Sequence, residues 1–306
     1  MQKRSFGKTG FNVTPLGFGA APVAYLGTER ERAAKVIHQL LDAGVNLIDT
    51  AASYPGSESF LGEHVSARRH EFILVSKCGQ KIPESGASSW SAEVISATVD
   101  RALKQLRTDR LDVMLLHSCS LEVLKKGDAV GALVKARDAG KIRFAGYSGD
   151  NEAAAYAASL PDIAVIETSI NIADQRNIDL VLAPTLKNGV GVLAKRPIAN
   201  SAWRSSLPGM YQNYASVYAD RLSKMNLSPA DLGIDGPSDL AWPELALRFT
   251  LSQPGVHTAI IGTTNPANAA TNIRLAELPP LPADAVEKIR SAFRNGQGSE
   301  QWTGQT

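Results

Sequence analysis

Two cysteines in 306 residues, Cys78 and Cys119, are too few for a disulfide framework and suggest a reducing, cytoplasmic setting. No apolar run is long enough to span a bilayer, and no basic stretch followed by an apolar segment opens the chain, so neither a membrane nor export is expected. Lysine and arginine number 32 against 30 aspartates and glutamates, a net charge of +2 that gives no reason to expect nucleic acid as a partner. His, Cys and carboxylate residues nowhere cluster with metal-ligand spacing, so no metal is expected. A linker rich in Pro, Ser or Gly is missing too, which favours one domain over residues 1–306. The remainder, 44% hydrophobic and 20% charged, is ordinary for a globular enzyme with a large core.

What is present is alternation. The opening Arg4-Ser-Phe-Gly-Lys-Thr-Gly-Phe-Asn-Val-Thr14 has a turn-forming centre and predicts a short hairpin. Strands are then expected from Leu16, Val45, Phe72, Leu111, Ile142, Ile163, Val192 and Thr258, with helical patterns between them. Ala33, Val36, Ile37, Leu40 and Leu41 fall on one helix face, and Ile95, Val99, Leu103 and Leu106 on another. Strict alternation of this kind argues for parallel strands wound by helices, and eight strands close naturally into a (β/α)8 TIM barrel. The longest irregular piece, Pro197 to about Asp239, follows the seventh strand and holds Trp203, Tyr211, Tyr214 and Tyr218. It reads as a long loop insertion, either a lid over the open face or an outer packing segment.

The ends of three successive strands carry the chemistry. Asp49 closes the run Val45–Ile48, and Tyr54 follows just before the breaker pair Pro55-Gly56. Lys77 ends the next run and His117 the one after. A carboxylate beside so apolar a strand needs a cation to offset its burial. In a parallel barrel all these ends open on one face, where such folds place their sites. Each residue alone has a bland explanation as a cap, a solvated lysine or a structural histidine; their repetition in register favours a proton-handling site.

At these residues the chain resembles the aldo-keto reductase family. The likeness runs through Gly44-Val-Asn-Leu-Ile-Asp-Thr-Ala-Ala-Ser-Tyr54, Ala102-Leu-Lys-Gln-Leu-Arg-Thr-Asp-Arg-Leu-Asp-Val-Met-Leu-Leu-His117 and Gly140-Lys-Ile-Arg-Phe-Ala-Gly-Tyr-Ser148. The resemblance implies a barrel that binds a nicotinamide dinucleotide and a catalytic tetrad at Asp49, Tyr54, Lys77 and His117. In that scheme Tyr54 gives a proton to the carbonyl oxygen. A free phenol, with pKa near ~10, is too weak an acid for this unless a neighbouring ammonium favours its phenolate. Asp49 would hold Lys77 charged, and His117 would position the carbonyl.

The same resemblance assigns coenzyme contacts to Gly19 and Ala20 after the first barrel strand, to Asp49, and to Ser148 and Gly149. Further contacts fall on Glu167, on Lys195, Arg196 and Pro197, and on Gly262, Thr263, Thr264, Asn268 and Asn272. Three of these depart from the family habit. Gly149 replaces an asparagine, Glu167 a glutamine, and Lys195 a stacking aromatic, so Glu167 and Lys195 are expected to pair across the site. No Lys or Arg stands in Ile261-Gly-Thr-Thr-Asn-Pro-Ala-Asn-Ala-Ala-Thr-Asn272, which deprives a 2′-phosphate of its strongest partner. NADP(H) is favoured as the cofactor on family habit, with NAD(H) close behind. The strand-one loop Gly17-Phe-Gly-Ala-Ala21 would let main chain approach a ligand, and Tyr25, Trp90 and Trp203 are candidate pocket walls or ordinary packing.

The function expected is NAD(P)H-linked interconversion of a carbonyl (aldehyde, ketone or sugar) and an alcohol, in either direction. The alternative is a dinucleotide-binding sensor with little turnover. Substrate identity and oligomeric state are left open at this point, and Cys78 and Cys119 read as plain buried thiols in preference to redox switches.

Overall fold

The computed structural model describes residues 1–25, 30–204 and 211–305, with the backbone alone described at 25 and 211–214. An antiparallel pair, β1 (Arg4–Ser5) and β2 (Asn12–Val13), opens the chain, Arg4 facing Val13. Eight parallel strands follow: β3 (Leu16–Gly19), β4 (Leu47–Asp49), β5 (Ile73–Cys78), β6 (Leu111–His117), β7 (Ile142–Ser148), β8 (Ile163–Ser169), β9 (Gly191–Lys195) and β10 (Thr258–Ile261). They pair in chain order and close, β10 against β3, into a (β/α)8 barrel. Every expected strand is present, with ends shifted by a residue or two.

Helices α1 (Ala21–Tyr25), α2 (Arg30–Asp42), α3 (Ser57–His64), α4 (Ala92–Leu106), α5 (Leu121–Lys126), α6 (Asp128–Asp138) and α7 (Asn151–Ala157) surround the first half. The second half carries α8 (Arg176–Leu180), α9 (Leu182–Lys187), α10 (Tyr211–Met225), α11 (Ser238–Leu251), α12 (Pro266–Ala276) and α13 (Ala283–Gln297). Helix α4 shows why such segments form. Ser91 caps it by accepting from the Val94 N–H at 3.2 Å, and Val94, Ile95, Val99, Ala102 and Leu106 bury one face. Arg107 ends it in the left-handed region, at φ 53°. Among the described residues no helix is long and apolar enough to cross a membrane.

The barrel interior is filled by Leu47, Val75, Val113, Leu115, Val165, Leu193 and Ile260, and Phe6 from the hairpin closes its N-terminal end. Gly7 makes that closure possible. At its φ of +54° an added Cβ would stand 2.4 Å from the Gly191 nitrogen, so only glycine lets the hairpin lie this close to β9. The barrel is therefore packed solid, and any chemistry belongs at its rims.

The region after β9 departs from the expected loop. It holds a 3-10 turn at Ala199–Ser201, the fifteen-residue helix α10, and a second turn at Pro229–Leu232. Amphipathic spacing in α10 competes successfully with its aromatic content, and the helix packs on α13 through Tyr218, Met225 and Phe293. Trp203 stacks on Trp242 with centroids 5.7 Å apart. The expected side-chain roles of Tyr25, Tyr211 and Tyr214 lie outside the described residues.

Candidate functional site at the C-terminal rim

Parallel strands deliver the ends of β4, β5, β6, β7, β8 and β9 to one rim, and the side chains there form two stacked layers of charge. In the lower layer, Lys77 is fully buried with its Nζ 2.5 and 2.6 Å from the Asp49 carboxylate oxygens and 3.0 Å from the Thr50 carbonyl. These three acceptors use the three protons of the ammonium. A second carboxylate, Glu167, brings its Oε2 to 3.2 Å from the same Nζ without hydrogen-bond geometry. Its Oε1 accepts from the Ser148 hydroxyl at 3.2 Å.

Burial works against the charge of Lys77, yet Asp49, Glu167 and Tyr54 together raise its pKa, so it stays an ammonium. The Asp49 carboxyl is pushed well above its usual range, first by burial and then by the negative charge of Glu167; Lys77 pulls the other way. Tyr54 lies at the mouth of this pair, its ring centroid 5.4 Å from Lys77 Nζ. His117 meets Tyr54 edge to face, with centroids 6.0 Å apart. Ser53 Oγ lies 3.2 Å from His117 Nδ1, in hydrogen-bond contact. Burial, then Lys77 and Lys195, hold the His117 pKa well below its ordinary value, so the imidazole is neutral.

The upper layer corrects one expectation: Glu167 and Lys195 do not pair. Lys195 Nζ sits 2.9 Å from Asp150 Oδ2 instead. Strand register explains the difference. Glu167 faces Leu193 on β9 and Ser148 on β7, so Lys195 stands one layer higher, beside Ser169. Glu167 turns inward instead, to the lysine of a strand three places round the barrel. Asp150, overlooked in the sequence, anchors the upper layer by accepting from the Ser169 N–H at 2.7 Å, the Thr168 hydroxyl at 3.0 Å and the Asn177 amide at 2.8 Å. Its place two residues past Ser148, at another strand end, was the available signal.

The C-terminal segment reaches the same rim, which local sequence gave no reason to expect. The Arg196 guanidinium donates to the Gln305 carbonyl, and the Gln305 N–H donates to Asp174 Oδ2 at 3.1 Å. The Gly304 N–H donates to Asn151 Oδ1 at 2.8 Å. Asp174 also accepts from the Tyr218 hydroxyl at 2.9 Å, and burial, followed by the charge of Asp150, pushes its pKa up to about 7. Tyr218 is thus a buried structural phenol.

Gly19, Ala20 and Gly262 meet where β3 and β10 end. The Ala20 N–H donates to the Asp49 carbonyl at 2.8 Å, and a Cβ on Gly262 would lie 2.6 Å from the Gly19 carbonyl oxygen. Gly149 donates its N–H to the Glu167 carbonyl at 3.0 Å, and the Pro197 carbonyl accepts from the Thr250 hydroxyl at 3.1 Å. Thr263 and Thr264 precede α12, which is capped by Asn265; Asn268 is exposed on its first turn and Asn272 buried on its second. Cys78 and Cys119 are free and buried, and burial raises both thiols, Cys119 to about 12, so neither forms a thiolate readily. Trp90 covers Gly79 as a packing residue.

A family model described as the aldo/keto reductase family matches residues 15–294. L-galactose dehydrogenase of Arabidopsis thaliana is 25% identical, the match covering 96% of this chain and 96% of that protein. The holo form of aldo-keto reductase AKR11C1 from Bacillus halodurans superposes with a TM-score of 0.81 at 24% identity, over 98% of this chain and 100% of its own. An aldo/keto reductase from Klebsiella pneumoniae, in complex with NADP and acetate, gives 0.70 at 23% identity over 95% of each chain. At those identities the two structures establish a shared fold.

Proposed function

Because the chain belongs to the aldo/keto reductase family, we propose that it is a nicotinamide-coenzyme-dependent oxidoreductase interconverting a small carbonyl compound and its alcohol, with Tyr54 as general acid and base. One observation carries the reading. A fully buried ammonium, held charged by Asp49, lies beneath a half-buried phenol and beside a neutral imidazole, all at the mouth of a barrel.

The rim fits a dinucleotide in its chemistry. Glu167 has a buried carboxylate oxygen without a hydrogen-bond donor, and Gly262 lets the ends of β3 and β10 pack close together beneath the rim. Helix α12 presents its N-terminus behind Thr263 and Thr264. Ser148, Glu167, Lys195 and Arg196 would hold the nicotinamide end, and Gly262 to Asn272 the adenosine end. When bound, the reduced ring supplies the hydride.

The residues do the rest. Tyr54 donates its proton to the carbonyl oxygen as negative charge gathers there, and the Lys77 ammonium stabilises the phenolate left behind. Asp49 keeps Lys77 charged and pointed at Tyr54. Neutral His117 can donate one N–H to the same oxygen and fix its angle without adding a positive charge. In the oxidative direction Tyr54 takes the alcohol proton by the same path.

NADP(H) is the favoured coenzyme and NAD(H) a close second, since Ile261 to Asn272 offers a 2′-phosphate hydroxyls and main-chain N–H groups but no guanidinium. Likeness to a sugar dehydrogenase makes an aldose, oxidised at the expense of NAD(P)+, a natural member of the substrate set.

The test is turnover. Purified protein is offered NADPH or NADH with a series of aldehydes and ketones, and the oxidised coenzymes with aldoses. Absorbance of the reduced ring should change with at least one substrate, and kcat/KM for the two coenzymes should differ by only about tenfold, since no guanidinium favours the 2′-phosphate. Tyr54→Phe should lower kcat by about 10²–10⁴-fold with coenzyme still bound. Full activity in that variant removes Tyr54 from the role.

A further inference from the structure

Lys77 needs one carboxylate and has two. Asp49 and Thr50 already occupy its three protons, so Glu167 adds nothing to its hydrogen bonding. A buried carboxylate that contributes no bond to the cation beside it is a cost to the fold, which directs attention to a ligand.

We propose that Glu167 is a positioning residue whose surplus negative charge selects the oxidised, cationic nicotinamide coenzyme over the reduced, neutral one. The inference rests on the reading above, that hydride transfer takes place over Lys77 and Tyr54. Hydride passes only between atoms roughly 3–3.5 Å apart, so the nicotinamide ring must lie over this same floor.

The charge count around Glu167 is short. From β4 comes Asp49 and from β5 Lys77, which cancel. The layer above holds Asp150, paired with Lys195 at the end of β9, together with Arg196 and Asp174. From β6 comes His117, kept neutral. In the lower layer, directly beneath the ring, Glu167 is the remainder, 3% exposed and little screened by water.

The two coenzyme forms have nearly the same shape but differ by one charge on the ring. A fixed carboxylate below that ring therefore binds them unequally, and the difference is a coupling between charge and redox state. Acid should weaken it. Asp49 takes up a proton more readily than an isolated carboxyl, because burial and the negative charge of Glu167 favour its neutral form; Glu167 then balances Lys77 and the surplus charge is lost.

The experiment is a binding measurement without turnover. Dissociation constants for NADP+ and NADPH are obtained by fluorescence titration at pH 6 and pH 9 for the wild type, Glu167→Gln, Glu167→Asp and Tyr54→Phe. At pH 9 Glu167→Gln should lose on the order of tenfold in the preference for NADP+ over NADPH, while Glu167→Asp keeps most of it. The wild-type preference should be smaller at pH 6, and Tyr54→Phe should match the wild type. An unchanged ratio in Glu167→Gln, or an equal loss for both forms, overturns the charge role and leaves the oxidoreductase reading standing. A wild type that binds neither coenzyme overturns both.

Discussion

The two rims of the barrel both bury carboxylates, and they treat them differently. At the N-terminal rim Asp112 accepts from the Arg69 guanidinium at 2.7 Å and from the Leu74 N–H at 2.9 Å, with Arg143 a further 3.7 Å away. Asn46 is tied to Thr14 and Asn12 in the same closed manner. This rim also borders a groove of about 630 Å³ lined by Phe11, Arg69, Asp112 and Arg143, with none of the Tyr54–Lys77 machinery near it. At the C-terminal rim Glu167 Oε2, Asp150 Oδ2 and Asp174 Oδ1 are buried without hydrogen-bond partners, each beside a cation. One end satisfies its buried carboxylate and amide and holds the barrel shut. The other leaves lone pairs open, a stability cost that makes sense where something else must bind.

Substitution can sharpen that contrast. Lys77→Met should produce the largest effect, lowering kcat by about 10³-fold. It should also cost about 3 kcal/mol of stability, because two buried carboxylates then share no cation. Urea titration beside steady-state kinetics measures both, and a loss of activity with no loss of stability would show that Asp49 and Glu167 find another partner. At the opposite rim, Arg69→Leu should cost about 2 kcal/mol by leaving Asp112 with one backbone donor and a distant Arg143. Its kcat should stay near the wild-type value; a large fall in kcat without unfolding would erase the division between the two ends.

A smaller effect is expected from pH. Asp174 binds its proton more tightly folded than unfolded, with a folded pKa raised to about 7. The stability this gives is full below the ordinary carboxyl range, near ~4, and is lost as pH rises to about 7. His117 has the opposite slope. Its depressed folded pKa contributes stability above ~6.5 that is lost on acidification. Melting curves from pH 4 to 8 should therefore show Asp174→Asn gaining on the wild type as pH rises. Parallel curves would mean that Asp174 ionises freely despite its burial.

Periodicity alone made the barrel legible. Runs such as Val113–Leu116 are apolar without interruption because both faces of the strand are buried, and the intervening helices carry one apolar stripe each. The tips Asp49, Lys77 and His117 were legible for the same reason, since parallel strands carry their ends to one rim. Helix α10 was obscured by its aromatics and by the breakers around it. The attachment of Gly304 and Gln305 to the rim could not be read, because a short polar tail has no period.

Local order along the chain thus determined which residues end strands, and therefore which stand at the rim. Only closure of the barrel decided who meets whom there. Glu167 turns to Lys77 and not to Lys195 because side chains of strands three apart converge on the barrel axis, while those of adjacent strands are separated by their register. Linear sequence records neighbours along a strand; distance across a closed cylinder exists only once it has folded.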